Sequence, residues 1–165
     1  CACVITFNDG AVSYEALADL LRERLADLSR VELPPPQLHE IPVRYGGDTG
    51  PDLSFVAEHC RLTTEEVIRR HCAETYTVYT VGFTPGFPYL GILDEAIAVP
   101  RLETPRTRVP AGSVGLAQRQ TGIYPFESPA GWQIIGRTDS RLFDTGRPPF
   151  SLMQIGDKVR FHVAD

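Results

Sequence analysis

The sequence predicts an α+β protein that is mainly β, and three observations point there. Residues 82–137 hold 8 Gly and 7 Pro, with short β-type runs between these breakers. Many short strands punctuated by Gly and Pro turns predict a closed or nearly closed barrel. Helical spacing of apolar residues is confined to the first 75 positions. The run Leu33-Pro34-Pro35-Pro36-Gln37 interrupts all regular structure, because successive prolines fix φ, remove donors and favour a stiff extended chain. It is the expected linker (33–37) between a small N-terminal α/β piece (1–32) and a barrel domain (38–165).

Each element has its own warrant. Ala2–Phe7 is a short apolar run with β-branched residues and predicts a strand. Ser13 offers an N-cap, and Tyr14, Leu17, Leu20, Leu21, Leu25 and Leu28 recur at helical spacing over about four turns. One strand and one helix cannot close a core alone. Past the linker, His39–Tyr45 alternates as a strand, with Pro42 suggesting an edge position. Pro51 suits the first turn of a short helix whose apolar stripe is Leu53, Val56 and Ala57. Thr63-Thr64-Glu65-Glu66 forms a capping box for a second helix that buries Val67 and Ile68. The pair has helix-turn-helix spacing, but the second helix opens on two acidic residues that would repel phosphates. Two packing helices are therefore expected. Further strands are predicted over Tyr76–Val81, Ser113–Ala117, Gly131–Arg137 and Lys158–Val163.

Composition narrows the class. The 165 residues are 42% hydrophobic and 22% charged, proportions that build a globular core. A net charge of −5 argues against a nucleic-acid partner. Residues 1–75 carry 7 basic and 13 acidic side chains and residues 76–165 carry 9 and 8, so the second half is the one able to attract an anion. No run approaches the roughly 20 apolar residues that span a bilayer, and no secretory start is present; no membrane partner and a cytoplasmic location are expected. The chain opens on Cys1 rather than Met and reads as a piece of a longer product. Its four cysteines (Cys1, Cys3, Cys60, Cys72) suit reduced thiols. The repeated pairs His59-Cys60 and His71-Cys72 invite a zinc reading, but helical neighbours point about 100° apart, so no metal site is expected.

Three segments carry chemistry. Gly82–Gly91 sets Phe83, Phe87 and Tyr89 among glycines and prolines, which makes a rigid apolar pocket wall at low entropic cost. Pro100–Pro110 holds Arg101, Arg106 and Arg108 against the single carboxylate Glu103. Guanidinium groups bind carboxylate or phosphate bidentately, and Arg106 and Arg108 are the expected anion site, with Arg101 at the surface. The third segment supplies Gln120, Tyr124, Glu127, Ser128 and Trp132, a mixture of polar tips and aromatic bodies suited to a small polar ligand. Glu127 is its one carboxylate and the candidate acid/base group. Between positions 72 and 161 there is no His, and the chain has neither a P-loop nor a GxGxxG fingerprint. A complete catalytic set is hard to assemble, which points to a shared active site.

Gly82–Gly91, Thr104–Gly115, Gln120–Pro125 and Ser128–Gly136, in this order and spacing, resemble the KipI / allophanate hydrolase subunit 1 family. Ile41-Pro42-Val43-Arg44-Tyr45-Gly46-Gly47, Gly50-Pro51-Asp52-Leu53 and Ile155-Gly156-Asp157-Lys158-Val159 fit it as well, so the resemblance covers nearly the whole chain. It implies a cyclophilin-like β-barrel behind a truncated, ferredoxin-like N-terminal domain. It implies the PxpB-type subunit of an ATP-dependent 5-oxoprolinase that opens 5-oxoproline to L-glutamate, inactive alone. The implied partners are a subunit 2 protein (KipA-type, PxpC-type) and a LamB/YcsF-type (PxpA-type) subunit. The alternative within the family is an inhibitor of a sporulation histidine kinase. Ile92, Gln118 and Ala130 stand where the family has glycine, each adding a side chain near the expected pocket. No cyclophilin sequence motif is present, and prolyl isomerase activity is not expected.

Overall fold

The computed structural model describes residues 5–8, 10–26 and 35–164, which fall in two compact units, 1–35 and 36–165. In the first, helix α1 (Tyr14–Leu25) is capped by Ser13, whose Oγ accepts the Ala16 N–H at 3.2 Å. No residue of α1 is buried. Residues 2–4 of the expected first strand and Leu28 of the expected helix lie outside the described residues. Ile5–Phe7 are described and form no strand.

The second unit is a barrel with two helices. Strands β1 (Leu38–Tyr45), β2 (Thr75–Val81), β3 (Pro88–Gly91), β5 (Ser113–Ala117), β6 (Gln120–Ile123), β8 (Gln133–Arg137) and β9 (Lys158–Val163) close in the order β1-β8-β5-β6-β3-β2-β9. Every neighbouring pair is antiparallel except β1 and β9, which run parallel and seal the barrel. Strands β4 (Arg106–Val109) and β7 (Ser128–Ala130) pair only with each other, as a separate ribbon. Pro42 is thus not on a sheet edge. It pairs with His162 on one side, while the ladder to β8 engages only Arg44 and Tyr45, so its missing N–H interrupts no ladder there.

Buried side chains form two clusters. Val43, Val78, Leu90, Val114, Leu116, Ile123, Ile135 and Phe161 fill the barrel. Phe87, Val109, Ala117, Tyr124, Ala130, Trp132 and Ile134 form the second cluster, joining ribbon residues to barrel strands. Successive strand residues face opposite sides, so β5 and β8 send Leu116 and Ile135 inward and Ala117 and Ile134 outward to the second cluster. With both faces covered, β5 is buried along its whole length.

Helices α2 (Leu53–Cys60) and α3 (Thr64–Ala73) add Leu53, Val56, Ala57 and Val67 to the barrel core. Thr63 caps α3 by accepting the Glu66 N–H at 3.2 Å, as the capping box predicts, and Ile68 is half-buried. Pro51 lies just before the cap, Asp52, rather than in the first turn. Arg61 ends α2 in the left-handed region, φ 56°, a conformation usually left to glycine.

Two polar clusters are built into this unit. Asp157 accepts from the Gln37 and Gln154 amides and from His39 Nε2 at 2.9–3.0 Å. Burial pushes its pKa up, yet these bonds hold the carboxyl below its usual range. His71 is fully buried, stacked on Phe161 at 4.4 Å between ring centres. Its Nε2 lies 2.9 Å from Thr121 Oγ1, and the Thr121 hydroxyl donates to the Gly115 carbonyl. Thr121 must therefore accept from Nε2–H, which leaves Nδ1 to accept from the Tyr45 hydroxyl at 2.7 Å. The Tyr45 oxygen in turn sits 3.4 Å from Cys72 Sγ. Every member is satisfied with a neutral imidazole, and burial pushes the His71 pKa down to about 3. His71 and Cys72 do converge, on the Tyr45 hydroxyl. Among the described residues no group of three or more His, Cys, Asp or Glu could hold a metal ion, and no helix is long and apolar enough to cross a membrane.

Candidate functional site: an aromatic cavity with one guanidinium

All three chemistry-bearing segments meet in one cavity of about 340 Å3. Phe83, Phe87 and Tyr89 come from the loop before β3 and from β3; Arg101 and Pro105 precede β4. Tyr124, Pro129, Ala130, Gly131 and Trp132 come from the stretch between β6 and β8. Phe87 is the floor. It is buried and meets Tyr89, Tyr124 and Trp132 edge-on, at centroid distances of 4.8, 5.0 and 5.5 Å, a geometry the ring quadrupoles favour. Gly122 of β6 permits this approach. A Cβ there would lie 2.9 Å from Phe87 Cζ and from the Pro88 carbonyl oxygen, and 3.1 Å from Trp132 Cζ3. Phe83 stands at the rim, 63% exposed with φ 68°, edge-on to Phe87 and Tyr124.

Arg101 is the cation of this cavity. Its guanidinium carbon lies 5.8 Å from the Trp132 ring centre, a cation–π placement. The loop that presents it is pinned on both sides. Gln133 Nε2 donates to the Pro100 carbonyl at 3.2 Å, and the Leu102 N–H donates to the Gly131 carbonyl at 2.8 Å. No described carboxylate pairs with Arg101. Burial raises the Tyr124 phenol above its usual range, with Tyr89 adding to the shift and the Arg101 charge opposing it. The phenol is therefore a neutral donor at working pH.

The other arginines lie elsewhere. Arg106 Nη2 donates to Asp52 Oδ1 at 2.6 Å, and the second Asp52 oxygen accepts the Ile134 N–H at 2.6 Å. Asp52 caps α2 in sequence only, since its side chain makes no bond to the helix. Arg106 therefore ties the ribbon to the barrel. Arg108 Nε pairs with Glu127 Oε2 at 2.7 Å on an exposed surface. Gln120 sits in β6 opposite Ala117, and Ser128 opens β7 opposite Val109; neither lines the cavity, and neither do Arg106, Arg108 or Glu127. Of the positions expected to be glycine, Ala130 lines the cavity, whereas Gln118 occupies the β5–β6 turn with φ 53° and Ile92 is exposed.

The cavity thus brings together Phe83, Phe87, Tyr89, Tyr124 and Trp132 with Arg101, and leaves Arg106 and Arg108 outside it. Nothing in the spacing of Arg101, Arg106 and Arg108 distinguishes them. The distinction comes from Asp52, 54 positions away from Arg106, and from Glu127. Chemically the cavity can bind and orient. Its lining offers apolar ring faces, two phenols and one guanidinium, with no carboxylate, imidazole, thiol or aliphatic hydroxyl to move a proton.

The profile of the carboxyltransferase domain, subdomain C and D, matches residues 1–153. The B subunit of the Haemophilus influenzae 5-oxoprolinase is 48% identical over 157 residues, covering 95% of this chain and 73% of that protein. A conserved uncharacterized protein of Pyrococcus horikoshii superposes with a TM-score of 0.76 at 47% identity, over 96% of this chain and 73% of the other. The urea carboxylase of Kluyveromyces lactis shares the fold at 17% identity, TM-score 0.71, over 96% of this chain and 17% of that one.

Proposed function

The chain belongs to the carboxyltransferase family, subdomain C and D, and on that premise we propose that it is the PxpB-type subunit of a 5-oxoprolinase. The reading draws on its 48% identity to such a subunit along 95% of this chain. One subunit of this kind implies others. The observation that carries a shared site is the make-up of the cavity, which has groups to bind a ligand and, its two phenols apart, none to transfer a proton. Hydrolysis of a ring amide needs a general base for water and a general acid for the leaving nitrogen. Those groups would come from the subunit 2 (KipA-type) and LamB/YcsF-type partners, in a cytoplasmic heteromer that opens 5-oxoproline to L-glutamate.

ATP is the co-substrate this reading carries with it, and the cavity does not fit it. One guanidinium faces the cavity, whereas a triphosphate is ordinarily cradled by several backbone N–H groups, a lysine and a metal ion. The nucleotide belongs to another subunit in this proposal. No described feature favours the kinase-inhibitor alternative.

Reconstitution tests it. The chain alone should show no 5-oxoproline-dependent ATP hydrolysis, and addition of the two partner subunits should restore it. Turnover by the isolated chain would refute the shared site, and an inactive reconstituted assembly would refute the assignment.

A further inference from the structure

We propose that the aromatic cavity is the substrate-ring site of the assembly, binding a small lactam monocarboxylate with its carboxylate on Arg101. This rests on the 5-oxoprolinase reading and assigns the substrate site of that enzyme to this chain. Three features select the ligand. At about 340 Å3 the cavity is at the small end of the roughly 300–1,000 Å3 typical of ligand sites, so the ligand is small. Its walls are the edges and faces of Phe87, Tyr124 and Trp132, which pack a flat ring. Its one charged group is a guanidinium with no described carboxylate partner, so one negative charge on the ligand is matched and a second is not.

Electrostatics reject the other classes. A cationic ligand suited to an aromatic cage would meet the Arg101 charge already seated on Trp132. Ring opening frees a carboxylate and an ammonium, two further charges for which an apolar vessel has no partner, a costly burial. The cavity therefore holds the closed ring better than the opened one. The lining includes the Tyr124 phenol, a neutral hydroxyl suited to a neutral partner such as a lactam carbonyl. All the lining residues belong to residues 36–165, so the site exists without a partner subunit.

Titration of the purified chain with 5-oxoproline, followed by calorimetry and by emission of Trp132, its single tryptophan, tests this. Saturable binding with an emission change is expected, because a carboxylate that draws Arg101 off the indole alters its surroundings. Arg101→Gln should weaken binding about 10-fold, the lower end for a charge-assisted bond at an exposed rim, and Arg101→Lys should fall between. The uncharged 5-oxoprolinamide should bind as weakly to the native chain as 5-oxoproline does to Arg101→Gln, and glutamate should bind more weakly than 5-oxoproline. Thermal unfolding of both variants should stay cooperative and within a few degrees of the native chain, since only the contact of the exposed Arg101 with Trp132 is altered. No saturable binding, or equal affinity in native and Arg101→Gln chains, overturns the proposal even where the reconstituted assembly is active. Arg101-dependent binding in a chain whose reconstituted assembly is inactive keeps the cavity assignment and overturns the 5-oxoprolinase reading instead.

Discussion

Lowering the pH from 7.5 to 5 should remove about 2 kcal/mol of folding stability through His71 alone. The imidazole is neutral in the folded protein, its pKa pushed to about 3 by burial, and titrates near 6.5 once unfolded. Between those values only the unfolded chain takes the proton, so stability falls as pH falls and the loss is complete near pH 3. From pH 7.5 to 5 the effect is about 1.5 units at roughly 1.36 kcal/mol each. A neutral replacement isolates it. Glutamine at position 71 can donate to Thr121 and accept from Tyr45, as the imidazole does, and cannot be protonated. Losing the stack on Phe161 lowers the absolute stability of His71→Gln, so the slope with pH is what matters. Urea unfolding at intervals from pH 7.5 to 5 should show the native chain losing about 2 kcal/mol more than His71→Gln. Parallel curves would refute the neutral, buried imidazole and the hydrogen-bond direction assigned along Tyr45, His71 and Thr121.

Three other substitutions separate structural from binding roles. Arg106→Lys keeps a charge and loses the guanidinium bond to the largely buried Asp52, so it should cost about 1.5–3 kcal/mol in urea unfolding; unchanged stability would show that Arg106 does not anchor the ribbon. Glu127→Gln breaks only the exposed pair with Arg108 and should change stability by no more than about 1 kcal/mol; in the reconstituted assembly it should leave turnover within about twofold, whereas loss of a general acid/base costs about 100-fold or more. Gly122→Ala forces a Cβ against Phe87 and the Pro88 carbonyl and should destabilise by about 1–3 kcal/mol with a shifted Trp132 emission, and native-like values would mean the floor of the cavity is looser than its packing indicates.

What could be read from sequence was whatever a short stretch determines for itself. Thr63 and Glu66 define a helix start locally, and β9 alternates Val159 and Phe161 inward with Arg160 and His162 outward. Strands β3, β4, β6 and β7 hide because they are three or four residues long, three of them containing Pro or Gly. Their conformation is imposed by partners: Tyr89 is in a strand because Gly122 lies opposite it, and Arg106 because Ala130 does. The cavity was half legible for the same reason. Phe83, Phe87, Tyr89, Tyr124 and Trp132 announce themselves by residue type in an aperiodic setting. The fate of an arginine depends on which carboxylate the fold brings to it, and Asp52 lies 54 positions from Arg106.

The parallel seam between β1 and β9 fixes how this barrel can be threaded into a longer polypeptide. Leu38 lies beside Lys158 and Val43 beside Val163, so the chain arrives at one end of the seam and departs from the other. Five steps of about 3.3 Å separate the two points by roughly 16 Å. An antiparallel seam would have returned both ends to the same place and made the barrel a side branch. This one is a link through which a backbone passes, so a segment before it and a segment after it emerge on opposite sides. Joining the two ends in a circular permutant needs about five extended residues as a minimum, and a shorter connection would pull the seam apart.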